Sequence, residues 1–299
     1  MINRELIGIS KWIRDELTAN LDRAAVKAKF KRSGLKCNEE TFNRTLRRVY
    51  NQLTGTVNTK LKSCNLTTPN LYNKESIDGN ILVIGDPHEP WCHPDYLGFC
   101  KRVYDEYDCK LAVIIGDLID QHAISYHETN PDGVSAGDEH QLAYDNVQRW
   151  IKTFPNVRVC IGNHDALPLR KARTHGLPTS LFKTYGELWG TPKEWLWRFT
   201  HEINGVLFQH GTNCSGQQAH INQARKNRQS TVIGHCHTLL GVEYDASKRD
   251  IIFGLSTGCG LSVSKYAFEY AKEDPKRPIL GCGVVVNNGK HAIAIPMEM

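Results

Sequence analysis

Five short apolar runs in this chain each stop at a cluster of Asp, Asn, His and Gly, and that repeated junction restricts the fold more than any other feature. The runs are Ile81-Leu82-Val83-Ile84 into Gly85-Asp86-Pro87-His88, then residues 111–115 into Gly116-Asp117-Leu118-Ile119-Asp120, and Val159-Cys160-Ile161 into Gly162-Asn163-His164-Asp165. Two more follow, Val206-Leu207-Phe208 toward His210-Gly211 and Thr231-Val232-Ile233 into Gly234-His235-Cys236-His237. Runs of this length, rich in β-branched residues, predict buried strands. A helical stretch over residues 95–107 separates the first two, so the spacing predicts a βαβ unit and a parallel sheet. Open α/β sheets carry their chemistry past the carboxyl ends of the strands, where all five clusters fall. Singly, Gly-Asn-His-Asp is an ordinary turn composition, and a D-x-H or H-x-H pair arises by chance. Five at strand ends do not. Imidazole and carboxylate together suit borderline divalent metals such as Mn, Fe, Zn or Ni.

The chain of 299 residues is long enough for one large domain or for a core with a smaller companion. No apolar run approaches the length of a membrane span, and the N-terminus lacks the layout of a signal peptide, so the expected location is the cytoplasm. The 10 cysteines form no C-x-x-C pair and several lie inside apolar strands, which predicts reduced thiols rather than disulfides or a structural zinc site. Net charge is +5, unevenly spread: residues 1–74 hold 15 Lys/Arg against 6 Asp/Glu, +9, and the remainder 22 against 26, −4.

That basic segment reads as three helices over residues 1–53, with Leu6, Ile9, Ile13 and Leu17, then Ala25, Val26 and Phe30, then Phe42, Leu46, Val49 and Leu53 turned inward. Asn38 opens the third, whose outer face shows Arg44, Arg47 and Arg48. Helix, Gly-containing turn, then basic helix is the layout of a helix-turn-helix, and a concentrated positive charge neutralises phosphate; the expected partner is nucleic acid, DNA first. A basic helix face is equally the ordinary solvated face of a surface helix. Residues 54–76 lose all periodicity and read as a linker, leaving 77–299 as the second domain. Within it, residues 121–140 form a polar insertion with His122, His127 and His140; Asp138 is expected to cap a helix burying Leu142, Ala143, Trp150 and Ile151. Residues 166–197 read as helical and irregular, with Arg170, Lys171 and Arg173 as a basic group, and residues 283–295 as a hairpin turning at Asn287-Asn288-Gly289.

The order D-x-H, G-D-x-x-D, G-N-H-D, H-G and G-H-x-H, all within residues 80–240, resembles that of the calcineurin-like metallophosphoesterases. The resemblance implies a four-layer αββα sandwich holding two divalent metal ions, Mn²⁺ foremost, here preceded by the small all-α module. Residue by residue, it implies one metal on Asp86, His88, Asp117 and His237 and another on Asp117, Asn163, His210 and His235, so that Asp117 bridges. It also implies an active site whose two cations share a hydroxide for in-line attack at phosphorus. His164 is then placed to protonate the leaving oxygen, with Asp120 orienting its imidazole. Arg170, His122 and His127 are candidates for gripping phosphate, although a polar insertion often carries histidines without using them. Protein Ser/Thr phosphatases of the superfamily carry an arginine after the second Asp and end their motif in G-N-H-E; here Gln121 and Asp165 stand at those positions, which resembles the branch of nucleases, cyclic-nucleotide diesterases and assorted small-molecule phosphatases. A helix-turn-helix fused to such a core is similar to arrangements encoded by bacteriophages. The expected function is therefore a metal-dependent phosphodiesterase acting on DNA. The competing expectations are a phosphomonoesterase of a small molecule or protein, with the helices as lid or interaction module, and a non-catalytic DNA-binding protein with structural metals.

Overall fold

The computed structural model describes residues 4–19, 22–35, 37–54, 74–126, 133–262 and 276–298, and the chain divides into two compact units, Met1–Ser63 and Cys64–Met299. The first unit holds α1 (Arg4–Ala19), α2 (Arg23–Arg32) and α3 (Glu39–Thr54). Side chains cap two of these helices: Asp22 accepts from the Ala24 N–H at 2.8 Å and Asn38 from the Thr41 N–H at 2.7 Å. Apolar residues at helical spacing meet in the middle, Ile9, Ile13 and Leu17 of α1 against Val26, Phe42, Leu46 and Val49, with Phe30 stacked on Phe42 at 3.6 Å between ring centroids. Leu53 does not join them: it is exposed, because this core ends one turn earlier at Val49 and Tyr50. The side chain of Leu6 lies outside the described residues. Arg44, Arg47 and Arg48 face water, Arg44 reaching Glu40 one turn back at 2.9 Å.

The second unit is built on two six-stranded sheets. One runs β12-β11-β2-β3-β4-β5, from β2 (Asn80–Ile84), β3 (Cys109–Ile114), β4 (Val157–Cys160), β5 (Trp195–Arg198), β11 (Gly281–Val286) and β12 (His291–Pro296). The other runs β1-β6-β7-β8-β10-β9, from β1 (Lys74–Glu75), β6 (Thr200–Ile203), β7 (Val206–Gln209), β8 (Thr231–Ile233), β9 (Leu240–Ala246) and β10 (Ile251–Thr257). Strands β2, β3, β4 and β5 are mutually parallel, so their carboxyl ends line one edge.

Alternation along the strands explains the layering. Ile81, Val83, Leu111 and Val113 face Ile203, Val206, Phe208, Val232 and Leu255 of the other sheet, while Leu82, Ile84, Ala112 and Ile114 face outward onto α4 (Tyr96–Glu106) and α5 (Ala136–Thr153). A strand buried on both faces must be apolar throughout, which is why β2 and β3 read as continuous hydrophobic runs. On the far side, α8 (Ala219–Asn227) packs against β8 and β10, and the layers run helix, sheet, sheet, helix as expected.

Several boundaries differ from the sequence reading. Lys74–Glu75, within the expected linker, pairs as β1 with Glu202–Ile203, and half-buried Glu75 forms an ion pair with the buried guanidinium of Arg158. The N-cap of α5 is Ser135, not Asp138: the Ser135 hydroxyl accepts from the Asp138 N–H at 3.2 Å. Leu142 is 46% exposed, since the inward stripe of α5 runs through Glu139, Ala143, Val147 and Trp150. The stretch 166–197 contains α6 (Leu167–Thr174) and α7 (Tyr185–Trp189), and ends in the edge strand β5. The Asn-Asn-Gly hairpin is present, with Asn287 and Asn288 both at positive φ. Every described cysteine is a free thiol.

Candidate metal centre

The five clusters lie at the carboxyl ends of β2, β3, β4, β7 and β8, so both sheets contribute to one site. The backbone is locally forced to deliver them. His88 (φ 54), Asp117 (φ 45) and His235 (φ 64) hold the left-handed conformation, costly for side chains of this kind and retained where surrounding structure over-determines it. Gly162 shows how closely the segments approach: a Cβ there would land on Asp117 Oδ1, so only glycine fits between the β3 and β4 ends.

Two sets of donor atoms result. In the first, His88 Nε2 and His237 Nε2 face each other at 3.1 Å, with Asp86 Oδ2 3.2 Å from His237 Nε2. The second brings His210 Nε2 within 3.0 Å of both Asp117 Oδ2 and Asn163 Oδ1, with His235 beside them. Asp117 Oδ2 lies between the sets, 3.9 Å from His88 Nε2.

Outer contacts aim these imidazoles. A carbonyl can only accept, so His210 Nδ1 donates to Ile115 O at 3.2 Å, and His88 Nδ1 donates to the Asp120 carboxylate at 2.6 Å; each leaves Nε2 pointing inward. The chemistry of the donor set fits divalent cations. Two Nε2 atoms face each other, and Asp86 Oδ1 is wholly buried without a hydrogen-bond partner, an arrangement that a shared positive charge compensates. Asp86, His88, His237 and Asp117 can hold one such ion, and Asp117, Asn163, His210 and His235 a second.

Electrostatics are those of crowded charge. Burial opposes ionisation of Asp117, but the surrounding imidazoles, His210 first, hold it well below the ordinary carboxylate range. Burial also disfavours charge on His210, yet Asp117 and Asp86 outweigh it and raise its pKa to about 9. His88 is lowered by desolvation despite Asp120.

His164 sits at the rim of the first set, with a quarter of its side chain open to solvent. Its Nδ1 donates to the main-chain carbonyl of Asp120 at 2.6 Å, leaving Nε2 free. This revises the part expected of Asp120: its carbonyl orients His164, while its carboxylate, 3.4 Å from His164 Nδ1, is engaged by His88. The carboxylate takes the nearer imidazole because Ile119 pairs in parallel with Glu89 and the Asp120 N–H donates to the Glu89 carbonyl at 3.0 Å, which sets Asp120 beside the segment that carries His88.

The other expected site residues are not in the donor sets. Arg170 lies over the Tyr126 ring, 5.2 Å from its centroid. His122 is half-buried, its N–H donating to Glu139 at 2.7 Å, and His127 lies outside the described residues. Three residues to which the sequence reading gave no supporting role hold the loops in place. Asp165 accepts from the Gly162 N–H at 2.9 Å and the Ile119 N–H at 3.1 Å, tying the β3 and β4 loops together; burial and Asp117 push its pKa up to about 7. Gln121 donates to the His164 carbonyl at 2.8 Å. Glu139 accepts from the N–H groups of His122 and Ala123 at 2.7 and 2.8 Å. Asp165 and Gln121 stood out in the sequence only as departures from the phosphoprotein-phosphatase motifs, and Glu139 left no signal.

Comparison with known proteins places this geometry. The chain is similar to an archaeal phosphodiesterase structure at 12% identity over 73% of this chain and 99% of that one, TM-score 0.37. It is similar to Vps29 of Cryptosporidium parvum at 11% identity over 74% and 98%, TM-score 0.36, and to Vps29 of Chaetomium thermophilum at 16% over 61% and 72%, TM-score 0.29. No curated protein sequence matches it. A profile of the calcineurin-like phosphoesterases (Metallophos) matches residues 79–275, well over half of the chain and every residue of the two donor sets, and the chain belongs to that family.

Proposed function

We propose that this metal-dependent phosphoester hydrolase works with two divalent cations as a phosphodiesterase on DNA, to which the basic helices of residues 1–53 bind. The observation that carries the two-cation reading is Asp117 Oδ2, set between His210 Nε2 at 3.0 Å and His88 Nε2 at 3.9 Å as a carboxylate serving both donor sets. Bound there, divalent ions would neutralise phosphoryl oxygens and lower the pKa of water. The remaining work falls to the chain's own residues. The sugar alkoxide leaving a diester needs a proton, and His164 Nε2 is the free imidazole nitrogen at the rim that can donate it. Asp120 keeps that ring turned outward through its carbonyl.

DNA as substrate is supported by the +9 charge of residues 1–74 and by three arginines exposed on α3. Gln121, in place of the arginine that resembles phosphoprotein phosphatases, supports the diester over a phosphoprotein. Manganese is the cation to supply first, given the mixed imidazole and carboxylate donors. The test is digestion of mixed single- and double-stranded DNA by the full chain with Mn²⁺, with His164→Ala beside it. Cleavage by the parent alone is the expected result; hydrolysis of p-nitrophenyl phosphate with DNA untouched would replace it with a monoesterase.

A further inference from the structure

Between Ala166 and Gly186 the chain contains no Asp or Glu but carries Arg170, Lys171, Arg173 and Lys183, within a domain whose net charge beyond residue 74 is −4. This acid-free stretch follows G-N-H-D directly. Its first helix, α6, starts three residues after His164, and Arg170 lies three residues into it, about 4.5 Å along.

The helix is matched by an aromatic residue from another segment. Tyr126, 52% exposed, follows the short helical turn His122–Ile124, and its ring takes Lys171 Nζ at 4.8 Å and the Arg170 guanidinium at 5.2 Å from the centroid. The two segments are joined. Lys171 Nζ donates to Ser125 O at 3.3 Å, Tyr126 Oη lies 3.4 Å from Thr174 Oγ1, and Gln121 donates to the His164 carbonyl at 2.8 Å. Tyr126 is thereby held as a fixed aromatic plane beside two cations, on the same loops that carry His164 and Asp120.

Tyr126 stays 52% exposed although two cations lie over its ring, and an exposed aromatic side chain already paired with cations has the composition of a base-stacking platform. We propose that Tyr126, with Arg170, Lys171 and Arg173, binds a single-stranded polynucleotide as it enters the metal centre, one unstacked base lying on the tyrosine and adjacent phosphates on the cations. Duplex DNA offers no free base face, so the platform selects single strands or frayed ends. Every base has such a face, so no sequence preference follows. This rests on the diesterase reading above and adds a second contact with nucleic acid, supplied by the catalytic unit itself.

The test compares the full chain with Tyr126→Ala and Tyr126→Trp on a single-stranded oligonucleotide, a blunt duplex and bis-p-nitrophenyl phosphate, with Mn²⁺ present. For Tyr126→Ala the ratio of oligonucleotide to small-diester kcat/KM is expected to fall about tenfold or more, the range for losing one stacked base, with a smaller change on the duplex. Tyr126→Trp should restore the ratio and report oligonucleotide binding through quenching of its fluorescence. Arg173→Gln should lower the salt slope of oligonucleotide binding by about 0.7. An unchanged ratio in Tyr126→Ala overturns the platform alone; a parent enzyme that hydrolyses the small diester but no polynucleotide overturns the diesterase-on-DNA reading and the platform with it.

Discussion

His164 and Asp120 divide two tasks that the sequence had joined. Because the Asp120 carboxylate holds His88 at 2.6 Å, Asp120→Asn should weaken metal binding about 10- to 100-fold in a Mn²⁺ titration, as loss of a partner behind a ligating histidine does elsewhere. His164→Ala should keep its metal and lose about 10²–10⁴ in turnover, the scale of a general acid. A variant lacking His164 that also arrives empty by metal analysis would refute the proton-donor role. Away from the centre, His201 is buried with Nε2 against the Val159 carbonyl at 3.1 Å, and desolvation lowers its pKa from 6.5 to about 4. The unfolded chain therefore takes up this proton first: stability is full above pH 6.5 and drains as pH falls toward 4, by about 2 kcal/mol between pH 7 and 5. Urea unfolding at those two pH values should show the loss in the parent and a smaller one in His201→Gln; equal losses would assign it to other groups.

At the scale of elements, the junction between strand and loop is the working unit. β4 ends at Cys160, and two residues later Gly162 must let Asp117 lie against its backbone. Gly162→Ala should therefore leave the sheet folded, by an unchanged far-ultraviolet circular dichroism spectrum, while metal affinity falls about tenfold or more as Asp117 is displaced. The strands delivering these junctions were readable because β2, β3, β4 and β8 are buried almost throughout and β7, though alternately buried, keeps Val206-Leu207-Phe208 apolar. β5, β6 and β9 were not. β6 reads Thr-His-Glu-Ile and β9 Leu-Gly-Val-Glu-Tyr-Asp-Ala, where half-exposed positions take polar residues and the apolar signal disappears.

For the whole molecule, the division at residues 63 and 64 and the charge asymmetry make separable functions testable. The chain lacking residues 1–63 should still hydrolyse a small diester, while its affinity for DNA falls and the salt dependence flattens, because the exposed Arg44, Arg47 and Arg48 leave with it. Unchanged affinity and slope would remove nucleic acid as the partner of the helical unit. Among the described residues no helix is long and apolar enough to cross a membrane.

The layered α/β architecture, the five junctions and the residue types gathered there were determined by the sequence itself. Burial on two faces requires uninterrupted apolar strands, and a metal site requires imidazoles and carboxylates where those strands stop. What each of those side chains touches was decided only by the tertiary structure. Asp120 and His164 are 44 residues apart, and Asp120 reaches back 32 to His88. Tyr126 meets a helix that starts 41 positions later, after a strand of the central sheet has intervened. Such partners are chosen by how β2, β3 and β4 lie side by side, and local sequence carries no record of that register.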